Sequence, residues 1–214
     1  MKLTEKYVAE QTDCVQRNLE GYKNYKTNVC TQMRIGVTKQ FCEGKEKILS
    51  VGCGAFEPIF LKATHALDAT PVSGELLKQQ GWQGEFRQGS CDELPYPDKF
   101  FDVAVCSEVL EHLPDDEMIA RTFREVDRVA KTWIFTTPDE SKCRYWTQDK
   151  SHLQFWNREQ LLQKVPKEVA ASASVGGLSI FTFVWKGQTP SYLQSPMSLR
   201  APALCKREGQ RPSA

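Results

Sequence analysis

Gly52-Cys53-Gly54 follows the apolar run Ile48-Leu49-Ser50-Val51, and Asp68 stands fourteen residues beyond Gly54. These are the residues best spaced for chemistry in the chain. Two glycines separated by one residue, after a short apolar run, read as a buried strand breaking into a turn whose backbone admits a ligand closely. The next short strand, His65-Ala66-Leu67, ends in Asp68. In an open α/β sheet that carboxylate stands beside the glycine turn and accepts hydrogen bonds from the two hydroxyls of a ribose. The pair points to a nucleoside-bearing cofactor. A pyrophosphate is disfavoured, because the third glycine position of a dinucleotide fingerprint holds Glu57, a carboxylate poorly suited beside phosphates.

The glycine turn and Asp68 resemble motif I of the class I S-adenosylmethionine-dependent methyltransferases. A second stretch strengthens the resemblance. Gly89-Ser90-Cys91-Asp92-Glu93-Leu94-Pro95-Tyr96-Pro97-Asp98-Lys99-Phe100-Phe101-Asp102, the apolar run to Cys106, and then Ser107-Glu108-Val109-Leu110-Glu111-His112-Leu113 are similar to the small-molecule group typified by ubiquinone and menaquinone biosynthesis. The resemblance implies S-adenosyl-L-methionine as cofactor, contacted by Gly52, Cys53, Gly54, Asp68, Ala69, Ser90, Cys91, Asp92 and Ser107. It also implies methyl transfer to a small-molecule acceptor by in-line displacement.

Such an enzyme holds the acceptor against the methyl carbon and excludes water. A phenol, enol or amine acceptor gains from a base, and histidine has the suitable pKa. Ligands of open parallel sheets sit outside the carboxyl ends of the strands, so His112, just past the fourth strand, is the catalytic candidate. His152 is the second candidate, and Glu108 and Glu111 are suited to a polar substrate group. Three positions depart from the family's habit: Ser50 and Ser90 stand where acidic residues are usual, and Phe56 where a third glycine is usual. These departures leave open an alternative, a degenerate methyltransferase-like protein that binds or partners without catalysing.

The elements needed to position these groups follow in order. Residues 1–45 are helix-compatible, with Thr4 as an N-cap, and Tyr22 and Tyr25 are candidates for a substrate cleft. Pro58 opens a short helix, Thr70-Pro71 opens another, and Glu85–Gln88 is a third strand. After the fourth strand, a helix opens at Pro114–Glu117 and is closed by Arg128 and Lys131, and Thr132–Thr137 forms a fifth strand. Asn157 and Gln160 read as a capping box, with Trp156 stapling onto Leu161. A sixth strand near Glu168–Ser172 and a seventh, Leu178–Trp185, joined through Gly176-Gly177, complete the fold. The expected class is α/β, a Rossmann-like doubly wound sheet of seven strands, mostly parallel with the last antiparallel. One domain over residues 1–186, including the helical segment 1–45, would precede a disordered tail over 187–214.

Composition narrows the functional class. In 214 residues, 28 basic and 27 acidic side chains give a net charge of +1, without the basic excess of a nucleic-acid binder. The eight cysteines show no Cys-x-x-Cys or Cys/His spacing for a metal. Scattered cysteines and no signal-peptide pattern predict a reducing, cytoplasmic setting, and no apolar run is long enough for a bilayer.

Overall fold

The computed structural model describes residues 4–23, 29–139, 150–167, 174–178 and 181–188. Helices α1 (Glu5–Lys23) and α2 (Val29–Cys42) precede β1 (Ile48–Val51), α3 (Glu57–Leu61), β2 (His65–Asp68), α4 (Pro71–Gln79), β3 (Glu85–Gln88) and β4 (Phe101–Ser107). A short 3-10 turn (Leu110–His112), α5 (Asp116–Val129), β5 (Ala130–Pro138), α6 (Arg158–Lys164), β6 (Ser174–Leu178) and β7 (Phe181–Lys186) follow. The strands form one seven-stranded sheet in the order β3-β2-β1-β4-β5-β7-β6. β7 runs antiparallel to both β5 and β6, and the remaining pairs are parallel. Strand order reverses between β1 and β4, so the carboxyl ends of β1, β2 and β4 diverge around a crevice where ligands bind in such sheets.

Alternation along the strands divides the core into two faces. In β4, Val103 and Val105 pack with Val37 and Phe41 of α2, whereas Ala104 and Cys106 pack with Ile119, Phe123 and Val126 of α5. Both faces of the central strands are therefore covered, as a parallel sheet requires. Local capping agrees with the sequence: Thr70 accepts from the Val72 N–H with Pro71 in the first turn, and Asn157 and Gln160 form a reciprocal capping box. Trp156 and Leu161 are both buried in the same cluster, as the staple predicts.

Two details differ from the sequence-based reading. Gly176 and Gly177 lie inside β6, paired with Phe183 and Thr182, rather than joining two strands. Lacking side chains, they let the sheet edge continue without packing demands, which periodicity does not register. Residues 168–172 and the tail from 189 fall outside the described residues, as do the side chains of Tyr22 and Tyr25. Helix α5 ends at Val129 and passes into β5 at Ala130 with no intervening turn, so Lys131 belongs to the strand and does not close the helix.

Lys131 instead donates to the Asp102 carboxylate at 2.8 Å, and the backbone N–H groups of Lys47 and Glu46 donate to its other oxygen at 3.1 and 3.2 Å. Lys131 first, then the Lys47 N–H, hold the Asp102 carboxyl down at about 2. A depressed carboxyl contributes stability above its unfolded pKa of about 4 and loses it as pH falls toward the folded value. Asp102→Asn is expected to lower the denaturation midpoint at neutral pH and to approach the parent near the folded pKa. An equal deficit at both pH values would assign the loss to packing.

Candidate active site

The glycine turn sits at the end of β1, tied to β2 by the N–H groups of Gly52 and Cys53, which donate to the Leu67 carbonyl at 2.8 and 3.2 Å. Gly52 has φ +62°, and a Cβ there would lie 2.3 Å from Val109 Cγ2. That position is a glycine because β4's following loop presses on it, as well as because of its backbone conformation. Gly54 has φ +52°, and a Cβ would meet nothing within 4 Å, so its open side faces free space.

Asp68 ends β2 and is 7% exposed. One carboxylate oxygen accepts from the Gly54 N–H at 2.9 Å and the other from the Thr70 N–H at 3.1 Å. Burial pushes the Asp68 carboxyl up, and these backbone donors oppose the shift. A carboxylate offers about four lone-pair positions, so two hydrogen bonds leave acceptor capacity on both oxygens for ribose hydroxyls. The side chain thus fixes the glycine loop while keeping a face for a ligand.

An open cleft lies at this point. Gly52, Gly54, Asp68 and Ala69 line it from β1 and β2, Ser90 and Cys91 from the loop after β3, and Glu108, Val109 and His112 from the segment after β4. Helix α1 adds Tyr7, Gln11, Cys14 and Val15. Eight of the sequence-nominated positions therefore meet in one place. Cys53, Asp92 and Ser107 do not line the cleft. The Cys53 side chain packs with Ala66 and Leu77 behind the loop, Ser107 is buried at the end of β4, and Asp92 accepts from Ser90 Oγ and from Arg121 Nε at 2.9 Å. Phe56 is not among the lining residues, so its ring does not close the turn.

The four α1 residues were missed by sequence reading, although a signal was present. Positions 7, 11, 14 and 15 recur at helical spacing and form one face. Tyr7, Gln11 and Cys14 do not continue the apolar spacing of Val8, Val15 and Leu19, so apolar periodicity does not single them out. Thr12 Oγ1 lies 2.6 Å from Thr70 Oγ1, and Cys14 Sγ lies 3.6 Å from Ser151 Oγ, so α1 bridges the two rims of the cleft. Burial, aided by Cys91, Asp68 and Asp92, pushes the Tyr7 phenol well up, so it remains a neutral donor there.

Two further expectations about carboxylates resolve differently. Glu57 is 3% exposed and faces away from the cleft, where Arg34 Nη1 donates to it at 2.9 Å and Ser50 Oγ at 3.4 Å. The acid that sequence comparison expects at position 50 is replaced by a serine that serves this buried pair. Glu111, nominated for a polar substrate group, is 1% exposed and is not among the residues lining the cleft, and Thr137 Oγ1 donates to it at 3.1 Å. Glu108 holds φ +55°, uncommon outside glycine, and is fixed by Thr136, whose carbonyl accepts its N–H and whose hydroxyl donates to its carboxylate, both at 2.9 Å. Burial raises the Glu108 carboxyl to about 7 against the nearby Arg34 charge.

His112 Nδ1 lies 2.9 Å from the Ser151 carbonyl. A carbonyl only accepts, so Nδ1 carries the hydrogen and the neutral ring keeps its lone pair on Nε2.

In strand order, glycine loop, acidic end of β2 and crevice, the domain is similar to S-adenosylmethionine-dependent methyltransferases, and the comparisons with known proteins point the same way. A family profile described as "Methyltransferase domain" matches residues 49–132. The curated "Uncharacterized methyltransferase YcgJ" of Bacillus subtilis is 30% identical over 101 residues, 42% of this chain and 38% of that protein, so the matched segment spans under half of the relative's length. Among solved structures, a SAM-dependent methyltransferase of Thermotoga maritima, called a possible histamine N-methyltransferase, superposes with a TM-score of 0.59 at 16% identity, covering 79% of this chain and 95% of that one. DhpI, solved with SAM and HEP, gives 0.60 at 17% identity over 86% of this chain and 99% of its own. At those identities the two structures show the shared fold.

Proposed function

We propose that this chain transfers a methyl group from S-adenosylmethionine to a small-molecule acceptor, with His112 as the catalytic residue. The observation that carries this reading is a single cleft joining Asp68 and the glycine loop at one end to His112 and Glu108 at the other, under the cover of α1. S-adenosylmethionine supplies a methyl group activated on a sulfonium. Asp68 and the free side of Gly54 hold the nucleoside end, with Ser90 and Cys91 beside it. Glu108 and His112 face the acceptor, and His112 takes its proton through Nε2. Tyr7 and Gln11 close the cleft against water and shape the acceptor pocket. A net charge of +1, without the basic excess of a nucleic-acid binder, favours a small acceptor over a nucleic acid. Among the described residues, Cys14, Cys42, Cys53, Cys91 and Cys106 are buried and outside any disulfide, in keeping with a reducing cytoplasm. No helix among the described residues is long and apolar enough to cross a membrane.

Titration calorimetry with S-adenosylmethionine and S-adenosylhomocysteine, followed by transfer of labelled methyl groups into fractionated metabolites, tests the reading. His112→Gln is expected to lower turnover by about 10²–10⁴-fold while leaving S-adenosylhomocysteine affinity within about twofold. Cofactor binding with label entering no small-molecule fraction would favour the non-catalytic alternative. No binding of either nucleoside would remove the methyltransferase reading.

A further inference from the structure

Glu111, His112 and His152 come together at the acceptor end of the cleft from two segments some forty residues apart in sequence. One potential donor atom from each lies within 4.8 Å of the others. Two latches fix this arrangement. The N–H groups of Leu153 and Gln154 donate to the Glu111 carbonyl at 2.7 and 3.0 Å, and the Ser151 carbonyl accepts from His112 Nδ1 at 2.9 Å. The flap carrying His152 is therefore clamped onto the turn carrying Glu111 and His112, and the two imidazoles meet edge to face at 4.9 Å between centroids.

Two independent features distinguish the cluster from ordinary buried polar residues. Glu111 is 99% buried by its 1% exposure, yet its Oε1 has no hydrogen-bond partner among the described residues. Such an atom ordinarily costs stability unless something else coordinates it. A backbone carbonyl on Nδ1 is also the arrangement that orients metal-ligating imidazoles and raises their basicity. Donors on a tetrahedral ion with bonds of about 2.1 Å are roughly 3.4 Å apart, so small rotations bring the three atoms into a coordination sphere.

We propose that Glu111, His112 and His152 bind one divalent transition-metal ion, and that the methyl acceptor is an oxygen nucleophile with a second oxygen beside it, able to chelate that ion. Two imidazoles and a carboxylate suit zinc, manganese, cobalt or ferrous iron better than magnesium or calcium. Three protein ligands leave positions free, and His112, which lines the cleft, brings them to the acceptor. The ion lowers the pKa of a bound hydroxyl, whose proton passes to Glu108 in the same cleft. With the ion bound, the Nε2 lone pair of His112 is on the metal, so Glu108 replaces His112 as the base and His112 acts on the acceptor through the ion. The ion site stands by itself, whereas the chelating acceptor rests on the methyltransferase reading.

The chain has three histidines, and His65, at the opposite end of β2, is an internal control. During titration of the full chain with MnCl₂, the imidazole NMR signals of His112 and His152 are expected to broaden together while those of His65 stay sharp. Calorimetry with ZnCl₂ should give one equivalent, and His152→Gln should weaken binding at least about tenfold. Equal broadening of all three signals, or none, overturns the site without requiring any variant to fold. With S-adenosylhomocysteine present, catechol is expected to displace water from bound manganese, read as a drop in water proton relaxation, and phenol is not. Identical responses to the two probes overturn the chelating acceptor. S-adenosylhomocysteine binding measured in EDTA reports on the methyltransferase reading separately, so either proposal fails without the other.

Discussion

Asp68→Ala is expected to cost about 100-fold or more in affinity for S-adenosylhomocysteine, measured by calorimetry, and to destabilise the free protein by a smaller amount. The two effects have separate sources. Hydrogen bonds to a charged group contribute about 1.5–3 kcal/mol each, and the ribose has two hydroxyls to donate to the proposed contact. In the free protein the same carboxylate satisfies the Gly54 and Thr70 N–H groups, which reach it at 2.9 and 3.1 Å. Leaving them unpaired costs about 1–3 kcal/mol, reduced where water enters the cleft. Asp68→Asn sharpens the test, because the amide keeps one acceptor oxygen but turns a donor toward one of the two N–H groups. Affinity should fall in both variants, with turnover following it. A lower melting temperature with unchanged affinity would show that Asp68 is a tether for the loop and that the nucleoside is held elsewhere.

The sequence made the central sheet legible because its signals are local. Short apolar runs ending in Gly52 and Asp68, the Thr70-Pro71 start of α4 and the Asn157–Gln160 box each depend on neighbours within a few residues. The contents of the cleft were legible where a turn or strand end fixes them. They were not where a remote helix docks, since the Tyr7, Gln11 and Cys14 face is recognisable only once Thr12 meets Thr70. Burial of carboxylates was also hidden. Glu57 and Glu111 look like surface residues in a polar stretch, and only tertiary contact shows Glu57 against Arg34 and Glu111 under the flap. The pairing of His112 with His152 is hidden for the same reason, because hydrogen bonds to Ser151 and Glu111 across the chain create it.

Arg34→Met is expected to be among the most destabilising single changes in the protein, because it strands a buried charge beneath the glycine loop. Arg34 and Glu57 have side chains 6% and 4% exposed and form an ion pair at 2.9 Å. Removing one member of such a pair costs about 3–5 kcal/mol, whereas replacing both by apolar groups is often nearly neutral. In a domain of this size that loss lowers the melting temperature by roughly 6–20 °C. Burial already raises the Glu57 carboxyl, and Arg34 is the strongest opposing influence. Without the guanidinium, the folded pKa rises further above the unfolded one. Protonated Glu57 is then favoured in the folded state, so the deficit should be smallest in acid and grow as pH rises through the folded value. Arg34→Met combined with Glu57→Leu should recover most of the stability, and a double-mutant cycle isolates the pair. Strict additivity of the two changes would exclude a coupled ion pair. Recovery would establish that α2 and the segment after β1 share one energetic unit, joining α2 to the sheet that carries the cleft.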